Sequence, residues 1–122
     1  MSGADDGELS SADIEVARRV YAVLRVVSGV DPDLRERLNR LADELHRSVV
    51  PHPVTPSAPA LTARELDAVA LVAVGYKNSE IAQLMGVAPE TVKSYLRSAM
   101  NKSETRSRHA LLAVARRSGL IP

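Results

Sequence analysis

Apolar residues recur every three or four positions along most of this chain, a spacing that predicts helices rather than strands. The first such stretch runs from about Ser11 to Val27, and Ser10 with Asp13 three residues later resembles a capping box at its start. Its apolar positions cover more than one face of a helix: Ile14, Val16, Ala17, Val20, Tyr21, Val23, Leu24, Val26 and Val27. We therefore expect an amphipathic helix with a broad apolar stripe.

A second stretch begins at Pro32 and runs to about Ser48, with leucines spaced by four and three residues at Leu34, Leu38, Leu41 and Leu45. The two stretches together predict a helical hairpin or short coiled coil over residues 11–49.

The hairpin needs a packing partner, because two helices alone cannot cover the broad stripe of the first one. A second copy, the C-terminal half of the chain or another protein would each serve. We expect a homodimeric four-helix arrangement first, and packing onto the C-terminal half as the main alternative. The expected dimer contacts in the hairpin are Ile14, Tyr21, Leu24, Leu38 and Leu41.

The segments on either side of the hairpin lack helical periodicity. Residues 50–60, VPHPVTPSAPA, have four prolines in eleven residues, which forbids a continuous helix and predicts a Pro-rich linker. Residues 1–10 are mostly small, polar and acidic, and we expect a disordered tail there. The linker then separates the hairpin from a second domain over residues 61–122.

The second domain opens with local helix signals. Thr62 and Glu65 form a capping box for a helix that Gly75 closes. Asn78 is the expected cap of the short helix that follows. The free N–H groups at the start of that helix and the neighbouring Lys77 suit a phosphate, and plain solvation of Lys77 is an equally good interpretation.

Residues 78–102 have the pattern of two short helices joined by a tight turn. Gly86 permits the positive φ that ends a helix, and Pro89 suits the first turn of the next one. The inward positions of that second helix are Val92, Leu96 and Ala99 or Met100. The opposite face, near the front of the helix, carries Thr91, Lys93, Ser94 and Arg97. A helix–turn–helix protein reads DNA with this part of its second helix.

The C-terminal half resembles the LuxR-type helix–turn–helix domain of bacterial transcription regulators. The matching segments are LTARELDAVALVAVGYKNSEIAQLMGV, TVKSYLRSAMNK and RSRHALLAVARRSGL, in that order. The resemblance covers residues 61–122, and the first half of the chain carries none of these landmarks. It implies a four-helix domain whose third helix enters the major groove and whose fourth helix commonly pairs with a second copy. The whole chain is then all-α: a helical hairpin, a Pro-rich linker and this domain.

The resemblance also implies residue roles. It puts Lys93, Ser94 and Arg97 at base edges, with Thr91 and Tyr95 near the sugar–phosphate backbone. Lys93 and Arg97 lie one turn apart and are long enough to reach guanine O6 and N7, although either one would also suit a phosphate. The remaining expected DNA contacts are Lys77, Asn78, Lys102, Arg106 and Arg108. In the last helix, which Ser107 caps and Gly119 ends, Leu112, Ala115 and Arg116 remain for a symmetry mate, and Leu112 and Arg116 are the expected dimer contacts.

Three positions depart from the family pattern. Relatives usually have leucine and glycine where this chain has Ser103 and Glu104, so both the core plug and the turn after the reading helix are weakened. Ala88 replaces the usual Ser or Thr cap, a loss of about 1 kcal/mol.

Charge supports a nucleic-acid partner for the C-terminal half. Residues 61–122 hold nine Lys and Arg against five Asp and Glu, whereas the first 60 residues hold seven against ten. Such asymmetry suggests that the C-terminal half meets a polyanion. Ordinary scatter of charge is the alternative.

Composition narrows the remaining function classes. The chain has no cysteine, no apolar run long enough to span a membrane, and three scattered histidines without metal-ligand spacing, so we expect no metal, no cofactor and no membrane partner. It offers no nucleophile with a base, no phosphate loop and no paired carboxylates, so we expect no enzyme. The absence of cysteine fits a reducing cytoplasm, and the family resemblance implies a bacterial, nucleoid-associated protein.

Two functions remain. The first is a sequence-specific DNA-binding transcriptional regulator that binds an inverted repeat of double-stranded DNA as a homodimer. The alternative is a protein-interaction module whose N-terminal helices dock a sigma factor, RNA polymerase or another regulator.

Overall fold

The computed structural model describes residues 10–26, 32–49 and 54–122. These ranges contain six helices and no strand, so the expected all-α class is confirmed. The helices are α1 (Ser11–Val26), α2 (Pro32–Val49), α3 (Ala63–Val74), α4 (Asn78–Met85), α5 (Pro89–Lys102) and α6 (Arg108–Arg117). Three parts of the prediction lie outside the described residues. They are residues 1–9 of the predicted tail, the connection between the two hairpin helices (residues 27–31), and residues 50–53 of the predicted linker. No helix in the described ranges has the length and apolarity needed to cross a bilayer.

The local signals at the start of α1 act as expected. The amide of Asp13 donates to Oγ of Ser10 at 3.1 Å, and the amide of Ser10 donates to Oδ2 of Asp13 at 3.2 Å. This reciprocal pair satisfies N–H groups that the first turn of a helix leaves without an intrahelical acceptor.

The helices of the C-terminal half also begin and end close to their predicted positions. Thr62 and Glu65 form both bonds of a capping box, and Gly75 ends α3 with φ 106°. Gly86 ends α4 in the left-handed region as well, with φ 70°. Ser107 caps α6 by accepting from the amide of Ala110 at 3.0 Å.

One predicted cap was wrong. Lys77, not Asn78, is the N-cap of α4, and Asn78 is the first helical residue. The carboxylate of Glu80 accepts from the amide of Lys77 at 2.8 Å, so a residue inside the helix supplies the acceptor that we expected from Asn78. The Asn78 side chain is therefore available for other contacts.

The hairpin packs on the C-terminal domain, which was the alternative to a dimer. A single apolar cluster contains Tyr21 and Val26 of α1, Ala42 of α2, and Leu71 and Ile81 of the C-terminal half. Helix α3 explains this arrangement, because five consecutive residues of it, 68–72, are buried. A helix that is buried all round needs cover on more than one side, and α1 supplies it.

The hairpin also contacts the segment that follows α6. Helix α6 ends at Arg117, and Gly119, two residues later, has a left-handed φ of 81°. The Tyr21 hydroxyl donates to the carbonyl oxygen of Leu120 at 3.4 Å, and Nε of Arg18 donates to that of Pro122 at 3.2 Å. Nε2 of His46 contacts the Gly119 carbonyl oxygen.

These contacts change the dimer expectation for two positions. Tyr21 is only 2% exposed and lies in the interior of one chain, so it is unavailable to a second copy in this arrangement. Ala115, which we expected to face a symmetry mate, is buried as well. The prediction for Tyr21 was wrong because α1 is apolar on two sides. The spacing of apolar residues alone does not tell which of the two sides packs within the chain.

The described residues leave the outer side of the hairpin uncovered. Val16, Val20 and Val23 form a stripe, the valine stripe, on the side of α1 opposite its buried residues, and Val16 is 60% exposed. Leu41 of α2 is 52% exposed.

Candidate nucleic-acid interface

Helix α5 is anchored by one face and free on the other. Val92, Leu96 and Ala99 are buried in the core, as their spacing predicted. Pro89 is the first helical residue, and Ala88 occupies the N-cap without a side-chain hydrogen bond. The anchored side fixes which way the helix presents its remaining residues.

The free side carries the predicted base-reading residues. We call Thr91, Lys93, Ser94 and Arg97 the reading face; Thr91 is half-buried and the other three are exposed. Among the described residues, the hairpin packs on the domain through α1 and α3 and leaves this face exposed. Nζ of Lys93 lies 3.2 Å from Oε1 of Glu90, and both side chains are largely exposed. Such a surface pair contributes at most about 1 kcal/mol, so Lys93 is easily released to another anion.

A shallow depression beside the reading face gathers residues from three helices. It has a volume of about 220 Å³ and is lined by Asn78, Lys93, Leu96, Arg97, Met100 and Arg108. Four of the predicted DNA-contact residues therefore surround one feature. Nη1 of Arg108 donates to Oδ1 of Asn78 at 2.7 Å, which joins the first turns of α4 and α6.

A second depression adjoins the first and shares Asn78 and Arg108 with it. It has a volume of about 490 Å³, and Asn78 and Arg108 line it together with Lys77 and His109. Its apolar wall comes from Val72, Tyr76 and Leu112. His109 was missed by the sequence analysis. Its place beside Arg108 in the first turn of α6 was the available signal. We call the cationic residues of the two depressions, Lys77, Lys93, Arg97 and Arg108, the basic strip.

Lys102, a predicted DNA contact, is engaged inside the domain. Its Nζ lies 2.7 Å from Oε1 of Glu65, which also accepts from the amide of Thr62 at 2.8 Å. Burial alone would raise the pKa of Glu65, but hydrogen bonds from Lys102, Ser98 and Thr62 outweigh it and hold the pKa at about 2. Lys102 therefore ties the end of α5 to the start of α3.

The remaining predicted contacts lie apart from the depressions. Arg106 is exposed in the connection between α5 and α6, and Tyr95 is half-buried against the core. Neither lines the two depressions.

The turn after α5 shows the cost of its departures from the family pattern. Glu104 adopts φ 55°, a left-handed conformation that favours glycine. Oγ of Ser103 is buried without a hydrogen-bond partner in the part of the chain that the structure describes. The chain adopts this turn although Ser103 and Glu104 are both unfavourable in it.

The predicted dimer residues fall into two groups. Leu112 and Arg116 of α6 are half-exposed, and Nη2 of Arg116 lies 3.4 Å from the Ala73 carbonyl oxygen. In the hairpin, Leu41 is exposed, whereas Ile14, Leu24 and Leu38 are half-buried.

Comparison with known proteins agrees with this geometry. Residues 59–115 match the family described as bacterial regulatory proteins, luxR family (GerE). The chain is also 40% identical over 116 residues to the HTH-type transcriptional activator RamA of Corynebacterium glutamicum. That alignment includes 93% of this chain, so it extends into the hairpin, where the sequence landmarks gave no resemblance.

The chain spans about 40% of the length of that relative. The family match coincides with α3 to α6, the helices that position the reading face. Residues 59–115 are therefore a helix–turn–helix domain of the luxR family of bacterial regulatory proteins.

Proposed function

We propose that this chain binds an inverted repeat of double-stranded DNA as a homodimer and recognises its sequence with the reading face of α5. The observation that carries the proposal is the exposure of Lys93, Ser94 and Arg97 on a helix whose other face is fixed in the core. Because the core fixes the backbone of α5, binding has to order only the side chains of these residues, which favours specific contacts.

The positions of the cations indicate which of them contact bases and which contact phosphates. Arg97 and Lys93 bind guanine O6 and N7 in the major groove, where each base pair presents a distinct pattern of donors and acceptors. Lys77 and Arg108, at the starts of α4 and α6, bind phosphates together with the free N–H groups of those helices. Arg106, Thr91 and Tyr95 add backbone contacts on either side. The protein acts on the nucleoid, in the bacterial cytoplasm.

The dimer places two reading faces on two half-sites. Leu112 and Arg116 of α6 are the contacts that we propose within the DNA-binding domains. Leu41 on the outer side of the hairpin extends the same interface, because it is the most exposed of the leucines that we expected there. Tyr21 is not part of this proposal.

Binding to promoter fragments at several salt concentrations tests the DNA function. We expect log affinity to fall steeply with log salt concentration, since each phosphate contact releases counterions. Replacing Arg97 with Ala should cost about 1–3 kcal/mol at the preferred site and little at unrelated DNA.

The matched control is Arg19→Ala, which removes one exposed cation from α1 instead. It should leave the preference between sites unchanged. Equal loss from both variants, or specific binding that survives Arg97→Ala, would remove Arg97 from its proposed role.

A second candidate function has its own observation. The valine stripe of α1 is apolar and exposed, and in the described residues nothing packs over it. The hairpin therefore also suits a protein of the transcription machinery, such as a sigma factor, RNA polymerase or another regulator. Retention of a purified polymerase or sigma factor by the wild type and not by Val20→Asp would favour this function.

A further inference from the structure

A series of charged side chains runs from the hairpin to the helix–turn–helix. Nε of Arg25 in α1 donates to Oδ1 of Asp67 in α3 at 2.8 Å. The other carboxylate oxygen of Asp67, Oδ2, lies 3.6 Å from Nη1 of Arg64. Nη2 of Arg64 donates to the carbonyl oxygen of Met85 at 3.0 Å. Asp67 thus joins an arginine of the hairpin to an arginine that reaches the end of α4.

The first two members of this series are buried. Arg25 is 9% exposed and Asp67 is 3% exposed. Burial raises the pKa of Asp67, and the charges of Arg25 and Arg64 oppose that rise. Desolvating two charges costs several kcal/mol, and apolar residues of similar volume often stabilise a fold at least as well. Stability alone therefore does not explain why charges lie here, and their geometry offers another reason.

The last member of the series lies where the helix–turn–helix bends. Met85 ends α4, and its carbonyl oxygen is one of those that a helix end leaves without an intrahelical donor. A cation is favourable at that position. Gly86 starts the turn immediately afterwards, and α5 then begins at Pro89, after the N-cap residue Ala88, which makes no side-chain hydrogen bond. Arg64 supplies a side-chain hydrogen bond on a turn whose other end has no cap.

We propose that Arg25, Asp67 and Arg64 are positioning residues through which the hairpin holds the turn between α4 and α5. Asp67 directs the guanidinium of Arg64 toward Met85, and Arg25 fixes the carboxylate of Asp67. The turn between α4 and α5 then sets the angle at which α5 presents its reading face. Contiguous hydrogen bonds and ion pairs on packed helices are a physical route for such coupling. Only the last step, from the turn to DNA, rests on the proposed function.

The double variant Arg25→Met/Asp67→Leu separates positioning from stability. It replaces the buried pair with apolar side chains, so we expect a melting temperature at or above that of the wild type. Arg64 remains but has lost its carboxylate. We expect the amides of Gly86 and Val87 to exchange hydrogen about tenfold faster, and affinity for promoter DNA to fall about tenfold.

Two further variants complete the test. Arg64→Met keeps the buried pair and removes the contact with Met85, so its turn amides should exchange as fast as those of the double variant. Val69→Ala destabilises the core around α3 and leaves the three charged residues of the series unchanged. Exchange at the amides of Gly86 and Val87 should then rise only as far as the overall loss of stability explains.

Each outcome decides the inference. Wild-type exchange at Gly86 and Val87 in the double variant would overturn it, and so would wild-type exchange in Arg64→Met if the double variant fails to fold. Wild-type DNA affinity together with faster exchange would overturn the step from the turn to the reading face. If the wild type itself binds no promoter DNA, the proposed function fails, and the exchange data still decide whether the hairpin holds the turn.

Discussion

Arg97 on α5 and Arg25 on α1 carry the same guanidinium in opposite surroundings. Arg97 is exposed beside a shallow depression that also holds Lys93 and Arg108, so three cations share one open surface. Arg25 is buried, and its Nε is bound to a carboxylate on another helix. An exposed cation remains free to bind a polyanion, whereas a buried one is committed to a partner that it cannot leave without an unpaired charge. The first arrangement suits recognition, and the second suits holding two parts of a fold in one orientation.

The largest expected difference between the two regions is in stability. Arg25→Met removes the closest cation from the 3%-exposed Asp67 and leaves Arg64 at 3.6 Å, which should cost about 3 kcal/mol of unfolding free energy. Arg97→Met should change it by no more than about 0.5 kcal/mol, because the side chain is at the surface. Urea denaturation of both variants measures the contrast. Equal effects would mean that Arg25 is not committed to its partner.

The next effect concerns pH and the Glu65–Lys102 pair. The pKa of Glu65 is about 2 in the folded chain, against an ordinary value of 4.5. The unfolded state therefore takes up a proton first as pH falls, and the stabilisation present above about pH 4.5 is lost toward pH 2. A shift of this size corresponds to about 3 kcal/mol.

Comparison with Glu65→Gln isolates this contribution, since the variant keeps an amide that can accept from Thr62. Thermal unfolding should show a large advantage of the wild type at pH 7 that shrinks as pH falls below 4.5. A constant advantage between pH 7 and pH 2 would contradict the assigned pair.

The exposed side of the hairpin gives a smaller expected effect. If a second copy covers it, Leu41→Asp should weaken dimerisation at least tenfold, about 1.4 kcal/mol, because a charge would enter an apolar contact. Val54→Asp is the matched control, since Val54 is 51% exposed against 52% for Leu41. Sedimentation of both variants gives the answer, and a wild type that stays monomeric at high concentration would end the dimer proposal.

The smallest expected effect lies in the turn after α5. Glu104→Gly should raise stability by about 1 kcal/mol, because glycine adopts φ 55° without the strain that a Cβ causes. Glu104→Ala keeps the Cβ and should bring no such gain. Melting temperatures of the two variants distinguish them, and equal values would mean that the turn is not strained.

Local structure was largely predictable from the sequence. The capping box of Thr62 and Glu65, the helix-ending glycines Gly75 and Gly86, and the start of α5 at Pro89 all depend on neighbours within a few residues, and the structure confirms them. The cap of α4 was wrong because Lys77 and Asn78 stand side by side, and Glu80 supplied the acceptor from inside the helix.

Contacts between distant residues were not predictable in the same way. Arg25 and Asp67 are 42 positions apart, and Lys102 and Glu65 are 37 apart. A helical period tells which residues share a face but not which helix that face meets. Lys102 was assigned to DNA and Tyr21 to a dimer, whereas Lys102 forms an ion pair with Glu65 and Tyr21 is buried within the chain. The uncovered valine stripe is what remains of the broad apolar surface once α3 is placed.

Hydrogen–deuterium exchange of the full chain with and without its promoter DNA tests the central claim most directly. The account predicts that DNA slows exchange at the first turns of α4 and α6 and along the front of α5, around Lys93 and Arg97. Exchange in α1 around Val20 should be the same with and without DNA, provided that the protein concentration is one at which DNA does not change the oligomeric state. Protection of the hairpin by DNA, with none in α5, would contradict the claim that the reading face binds the groove.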